Sequence, residues 1–199
     1  MNSPRPNLTS KADPPAKSRQ PRYQRPPLTL VLYPDPTLRK LCLPVEKFDS
    51  TLRDVAEEMT ALMQFHSGIG LAAPQVGLEP QLLVCGIESQ LITLANAEIQ
   101  ESGQMGEFVE GCLSLPEVRV KVTRPERIRV TGYDVHGQRK SFAATGLWAR
   151  AIQHELDHLN GVLICDYGRP AESCAQCPLA LPTVLVEERK HQSQHPRSH

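Results

Sequence analysis

The sequence predicts an α+β fold in a single domain, with antiparallel sheets packed around a central helix that carries a metal-binding pattern. Three observations lead there. An amphipathic helical stretch comes early, a succession of short strand-like runs follows, and a second helical stretch places two histidines four residues apart. At 199 residues the chain suits one domain with tails and is long enough to bury a core of its own.

Taken in order, residues 1–27 are rich in Pro, Arg, Lys and Ser, with Asp13 the only acid. Such a segment cannot bury enough apolar surface to order itself and is expected to be a disordered tail. The alternative is an organelle transit peptide, against which its prolines count. A catalytic domain is expected over 28–170 and a variable extension over 171–199. The domain opens on a strand-like run at 28–33. Asp49 or Ser50 then caps a helix with Leu52, Val55, Met59, Leu62 and Met63 on one side and Arg53, Glu57 and Glu58 on the other. Residues 68–77 form a loop of small residues holding one uncharged polar side chain, Gln75. Strand-like runs follow at 81–87, 91–99, 118–122, 127–135 and 140–144, with a turn at His136-Gly137.

In the last helical stretch Trp148, Ile152, Leu156 and Leu159 recur at core-facing spacing. A second stripe runs Leu147, Ala151, His154, His158, which sets an apolar and a small residue just upstream of the histidines and suggests a pocket for an apolar side chain.

Composition narrows the function. Formal net charge is +0, so no global field argues for DNA or a membrane surface as partner. No apolar run has the length of a bilayer span, and the N-terminus lacks the apolar stretch of a secretory signal. With export not expected, the 6 cysteines read as thiols or ligands rather than disulfides. Cys42, Cys85 and Cys165 sit in apolar runs as core thiols. Cys174 and Cys177 form a lone C-x-x-C.

The chemistry is concentrated in His154-Glu155-Leu156-Asp157-His158. Histidines four apart on a helix share a face and reach one metal ion, while the glutamate beside the first can move a proton on and off an activated water. A third ligand is needed. The pattern HExxHxxGxxH fails because residue 164 is Ile. Glu172, Glu187 or Glu188 would serve from downstream, Cys174 and Cys177 would close a structural zinc site, and Cys112 would serve from the segment 110–116.

Gly-Ile-Gly-Leu-Ala-Ala-Pro-Gln at 68–75, Glu-Gly-Cys-Leu-Ser-Leu-Pro at 110–116 and Gln-His-Glu-Leu-Asp-His at 153–158 resemble the three signature motifs of peptide deformylases, in the family's order and at similar spacings. The resemblance spans about 28–167 and includes Pro-Asp-Pro-Thr-Leu-Arg at 34–39 and Gly-Val-Leu-Ile-Cys-Asp-Tyr at 161–167. It implies that Cys112, His154 and His158 hold one divalent metal, iron(II) in the family, with zinc, nickel and cobalt able to substitute. It further implies Glu155 as the proton carrier, with the Gln75 amide and the Leu113 N–H as oxyanion donors.

Gly70 matches a backbone partner of the substrate, and Ile69, Leu147 and Ala151, with Phe108 beside them, would receive a methionine side chain. Arg119 matches an arginine near the substrate backbone, with a salt bridge to Glu110 or Glu117 as the alternative. Asp157 and Gln153 are expected to support or cap rather than ligate. The implied substrates are N-formylmethionyl peptides of nascent chains, cleaved with release of formate in a bacterial cytosol or an organelle. The ends depart from the pattern. Pro178 and Pro182 oppose the continuous C-terminal helix that some members use to dock on the ribosome, and Asn96-Ala97 stands where the family often has Asn-Pro.

Overall fold

A computed structural model describes residues 27–167. The expectations for residues 1–26 and beyond 167, including the tail, the C-x-x-C and the downstream glutamates, lie outside the described residues. Among those described, no helix is long and apolar enough to cross a membrane.

Helix α1 spans Ser50–Phe65 and is capped by Asp49, whose carboxylate accepts from the Leu52 N–H at 3.1 Å. Its apolar stripe, Leu52, Val55, Ala56, Met59 and Met63, is buried against Leu71, Leu82 and Val84 of the sheet. At its C-terminal end Ser67 turns left-handed (φ 54°), and the N–H of Gly68 bonds the carbonyl of Met63 at 2.9 Å.

The strands are β1 (Gly70–Ala72), β2 (Leu82–Ile87), β3 (Gln90–Cys112), β4 (Leu115–Tyr133) and β5 (Arg139–Thr145). They pair antiparallel in the order β1-β2-β3-β4-β5, so where several sheets were expected all five strands belong to one hydrogen-bonded sheet. The polar, glycine-bearing stretch 100–112 carries too little alternation to read as a strand, yet it continues β3 because β4 supplies a partner from Gln100↔Arg129 to Gly111↔Arg119. The runs at 118–122 and 127–135 are likewise one strand. Pro125 stands opposite Met105 beside a shift in register, where a missing N–H is tolerated.

Two further segments differ from expectation. The run at 28–33 is extended without a ladder, tied by single bonds from the Val31 N–H to the Gln75 carbonyl (2.7 Å) and from the Tyr33 N–H to the Ser114 carbonyl (2.9 Å). The small-residue loop at 68–77 contains β1 and a 3-10 turn, Ala73–Val76, that closes at Gly77 with φ 75°. At the Ala95/Glu98 irregularity Asn96 takes φ 50°. Its amide accepts from the Val45 N–H at 2.7 Å and donates to the Val45 carbonyl at 2.9 Å, holding the 43–47 segment to the sheet as a strand partner would.

Helix α2 spans Gly146–Leu159. Ala149, Ala151, Ile152, Leu156 and Leu159 pack on Leu83, Leu94, Ile128 and Val130. A third cluster joins Cys112, Leu115, Val118, Val120 and Val122 to Leu163, Ile164 and Cys165. Cys42, Cys85, Cys112 and Cys165 are all buried, and none of them forms a disulfide among the described residues. The first of these packings seats α2 across the sheet, and its polar side chains His154, His158 and Arg150 reach the far end of β3, where the chemistry gathers.

Candidate metal centre

His154 and His158 lie one turn apart on α2, with ring centres 5.0 Å apart. Cys112 ends β3 at the Gly111/Cys112 break in register, an irregularity that re-aims the chain end toward the helix. Its Sγ lies 3.2 Å from His158 Nε2, and the ligating atoms of Cys112, His154 and His158 all fall within 4.8 Å of one another. One soft thiolate and two imidazoles form a donor set that suits a divalent transition metal with one coordination position left open. Ile164, 2% exposed within the third apolar cluster, contributes nothing to this group.

Glu110 orients the first histidine. Its Oε2 lies 3.0 Å from His154 Nδ1, so this nitrogen donates to the carboxylate and Nε2 is the ring atom left to serve as a ligand. Arg124 grips the same carboxylate with both ends of its fork, at 2.7 and 2.9 Å, and Arg150 adds a third contact at 2.7 Å. Arg124 also reaches Asp157 at 2.8 Å and lies over the Tyr167 ring, whose hydroxyl donates to Asp157 at 2.6 Å. Asp157 therefore holds Arg124, and Gln153 donates to the carbonyls of Pro125 and Ala149; neither is part of the ligand cluster.

Charges follow from these contacts. Burial would raise the Glu110 carboxyl, but His154 and Arg124 outweigh it and hold the group well below the usual carboxylate range. Burial opposes a charge on His154, yet Cys112 and Glu110 together keep it protonated well above the ordinary histidine value, in the place a cation would take. Burial, then the charges of His154, Arg124 and Arg39, push His158 well below that value, so it stands neutral and ready to ligate.

Glu155 is 3% exposed, and its Oε2 has no hydrogen-bond partner among the described residues. Burial lifts its carboxyl to about 7, against the pull of His154 and Arg124. A carboxyl tuned near neutrality beside a ligand cluster has the properties of a proton carrier. Gly70 makes room for it: a Cβ there would meet Glu155 Oε1 at 2.1 Å. The Gln75 amide is fixed by its acceptor end, which takes the Ala72 N–H at 2.8 Å. Its NH2 therefore points to Ser114 Oγ (3.2 Å) and Cys112 Sγ (3.6 Å).

A cleft of about 360 Å³ opens onto this group. Ile69 and Leu147, 41% and 45% exposed, stand at its mouth with Phe108, and Ala151 is buried in its wall. Gly70, Gln75, Cys112, Leu113, Arg119, His154 and Glu155 also line it, whereas His158 is buried outside the lining. The Arg119 guanidinium covers Gly111, where a Cβ would meet Nη1 at 2.7 Å, and donates to its neighbour's carbonyl at 3.0 Å. The alternative salt bridges to Glu110 and Glu117 are not formed; Arg124, Arg150 and His154 take up Glu110. Sequence reasoning missed Arg124 and Ser114 and gave Arg150 and Glu110 no role at the metal group. Arg124 sits in a Thr-Arg-Pro strand segment with no pattern to mark it.

A cysteine sulfur and two imidazoles that could hold a metal, with a buried carboxyl beside them behind the cleft, have the makeup of a metallohydrolase centre. The family model for polypeptide deformylase matches residues 27–173. A peptide deformylase of Dictyoglomus thermophilum is 46% identical over 133 residues, covering 66% of this chain and 86% of its own. The crystal structure of peptide deformylase from Thermotoga maritima superposes with a TM-score of 0.70 at 39% identity, covering 73% of this chain and 100% of that one. A Met-Ala-Ser-bound class I type b peptide deformylase from Acinetobacter baumannii gives 0.68 at 30% identity, over 71% of this chain and 98% of that one. The chain belongs to the polypeptide deformylase family, metal-dependent hydrolases that remove the N-formyl group from nascent polypeptides.

Proposed function

We propose that Cys112, His154 and His158 hold one iron(II) ion, replaceable by zinc, nickel or cobalt, and that the cleft takes the N-formylmethionyl end of a nascent chain. The observation that carries this reading is the convergence of the three ligand atoms beside the unpartnered carboxyl oxygen of Glu155. The ion would supply Lewis acidity and make water acidic enough to attack near neutral pH.

The chain's own residues do the rest. The methionine side chain lies against Ile69, Leu147 and Ala151, and the peptide backbone runs past Gly70 toward Arg119; the Acinetobacter baumannii relative was crystallised with Met-Ala-Ser bound. Glu155 takes a proton from the attacking water and later delivers it to the leaving amine, which a carboxyl held at about 7 does in both directions. Charge building on the formyl oxygen is met by the Gln75 NH2, whose orientation the Ala72 N–H maintains, and by the Leu113 N–H. Neutral donors suit that place, because a carboxylate would repel the oxyanion. Each donor is worth about 2.7–4 kcal/mol of barrier. Formate and a free N-terminal methionine leave.

Residues 28–170 form the catalytic unit in this reading. The cytosol, or an organelle if the N-terminal segment is a transit peptide, is the compartment; the ribosome enters as a partner only through the family resemblance. The test is formate release from formyl-Met-Ala-Ser by the full chain loaded with iron or nickel under reducing conditions. Release no greater than that of a Glu155→Ala control would sink the reading.

A further inference from the structure

Arg150 lies one turn before His154 on α2 and has no part in the mechanism above. Its side chain, 13% exposed, donates in three directions: to Glu110 Oε1 at 2.7 Å, to the Val122 carbonyl at 3.1 Å and to the Gly106 carbonyl at 3.0 Å. Gly106 and Glu110 bracket Phe108 on β3, and the guanidinium carbon stands 5.4 Å from the centre of the Phe108 ring. That ring is 57% exposed at the mouth of the cleft, so the core does little to set its position. A flat cation against its face does. Through its other end the same guanidinium holds the carboxylate that fixes His154 Nδ1 at 3.0 Å.

We propose that Arg150 is a positioning residue that ties the wall of the methionine pocket, at Phe108, to the orientation of the metal ligand His154, through Glu110. The inference rests on the deformylase reading of this site. It depends on the guanidinium being planar and forked at once: the face serves the ring while the edge serves two carbonyls and a carboxylate. A lysine keeps the charge but has no face and no fork. A substrate side chain packed on Phe108 therefore bears on the group that aligns His154, and a substrate without that side chain does not.

The experiment uses the full chain loaded with nickel(II), as wild type, Arg150→Lys, Phe108→Ala and the double variant. Formyl-Met-Ala-Ser and formyl-Gly-Ala-Ser are the substrates. kcat and KM are read separately, together with the rate at which a chelator strips nickel in the absence of substrate. Arg150→Lys is expected to lower kcat and to speed nickel loss by about 10-fold or more, the scale on which partners of metal-bound histidines act. Phe108→Ala is expected to raise KM for the methionine substrate and to leave nickel loss at the wild-type rate. In the double variant the two losses in kcat/KM for formyl-Met-Ala-Ser should combine to less than their product.

Nickel loss from Arg150→Lys at the wild-type rate overturns the proposal, and so do losses that multiply independently. If Arg150→Lys does not fold, Phe108→Ala alone decides: it must cut the preference for formyl-Met over formyl-Gly by about 10-fold, and an unchanged preference overturns the proposal. Wild type that releases no formate defeats the deformylase reading, while nickel loss still reports on the tie between Arg150 and His154.

Discussion

The two helices of this protein solve the burial problem in opposite ways. Every buried residue of α1 is apolar: Leu52, Val55, Ala56, Met59 and Met63. Helix α2 buries Gln153, Glu155, Asp157 and His158 among its apolar residues. An apolar stripe gains stability from burial alone. A buried polar stripe gains only if each group finds a partner, and otherwise carries a desolvation cost. On α2 most groups find one: Asp157 has Arg124 and Tyr167, Gln153 has two carbonyls, and His154 has Glu110. Glu155 Oε2 and His158 Nδ1 have none among the described residues. The difference separates a helix whose buried face serves stability alone from one that packs its apolar residues into the core and also carries buried groups for chemistry.

The largest effect expected on that contrast is at Glu155. Glu155→Gln keeps the shape and removes the titrating group, so kcat should fall by about 10²–10⁴-fold while bound metal is retained. Formate release and metal analysis of one preparation check it; loss of metal would mean the residue is a ligand rather than a proton carrier. Next comes Met59→Ala in α1, at a fully buried site. It should cost about 2–5 kcal/mol of stability, read by denaturant unfolding, and leave kcat of the folded fraction near wild type. A kcat loss comparable with that of Glu155→Gln would break the division of labour.

The third prediction concerns pH. The folded-state carboxyl of Glu155 is raised from 4.5 to about 7, so the fold favours its protonated form. This group's contribution to metal-free stability is therefore present at low pH and lost as pH rises through the window from about 4.5 to 7. Metal-free Glu155→Gln should then exceed wild type in stability at pH 8, by on the order of 3 kcal/mol, with the difference closing by pH 4. Equal unfolding curves at pH 8 would show that the cost of burying Glu155 is met elsewhere. The smallest effect is at the α1 cap: Asp49→Ala removes the acceptor for the Leu52 N–H and should cost about 1 kcal/mol, seen as a shift in unfolding midpoint with activity intact.

Local features were legible. The periodicity and cap of α1, the stripe of α2, the turn at Gly137 and the pairing of His154 with His158 all depend on residues within a few positions of each other. The stretch 100–112 was not, because its strand character comes from β4 rather than from its own alternation. The third candidate ligand also lay beyond local reading: spacing left Cys112 as one of several choices, and the family resemblance singled it out. Nothing local marked Arg124, which bridges Glu110 and Asp157 across 14 and 33 positions of sequence.

What the sequence by itself determined was the set of chemical groups and the helices that present them, since side-chain type and helical period act over one or two turns. Only the tertiary structure decided that a sulfur 46 positions before His158 comes within 3.2 Å of it, and that the Arg124–Glu110 pair buried beside His154 sets its orientation. Coordination and charge pairing act through distance in space, and here the break in the β3–β4 register and the seating of α2 on the sheet set that distance.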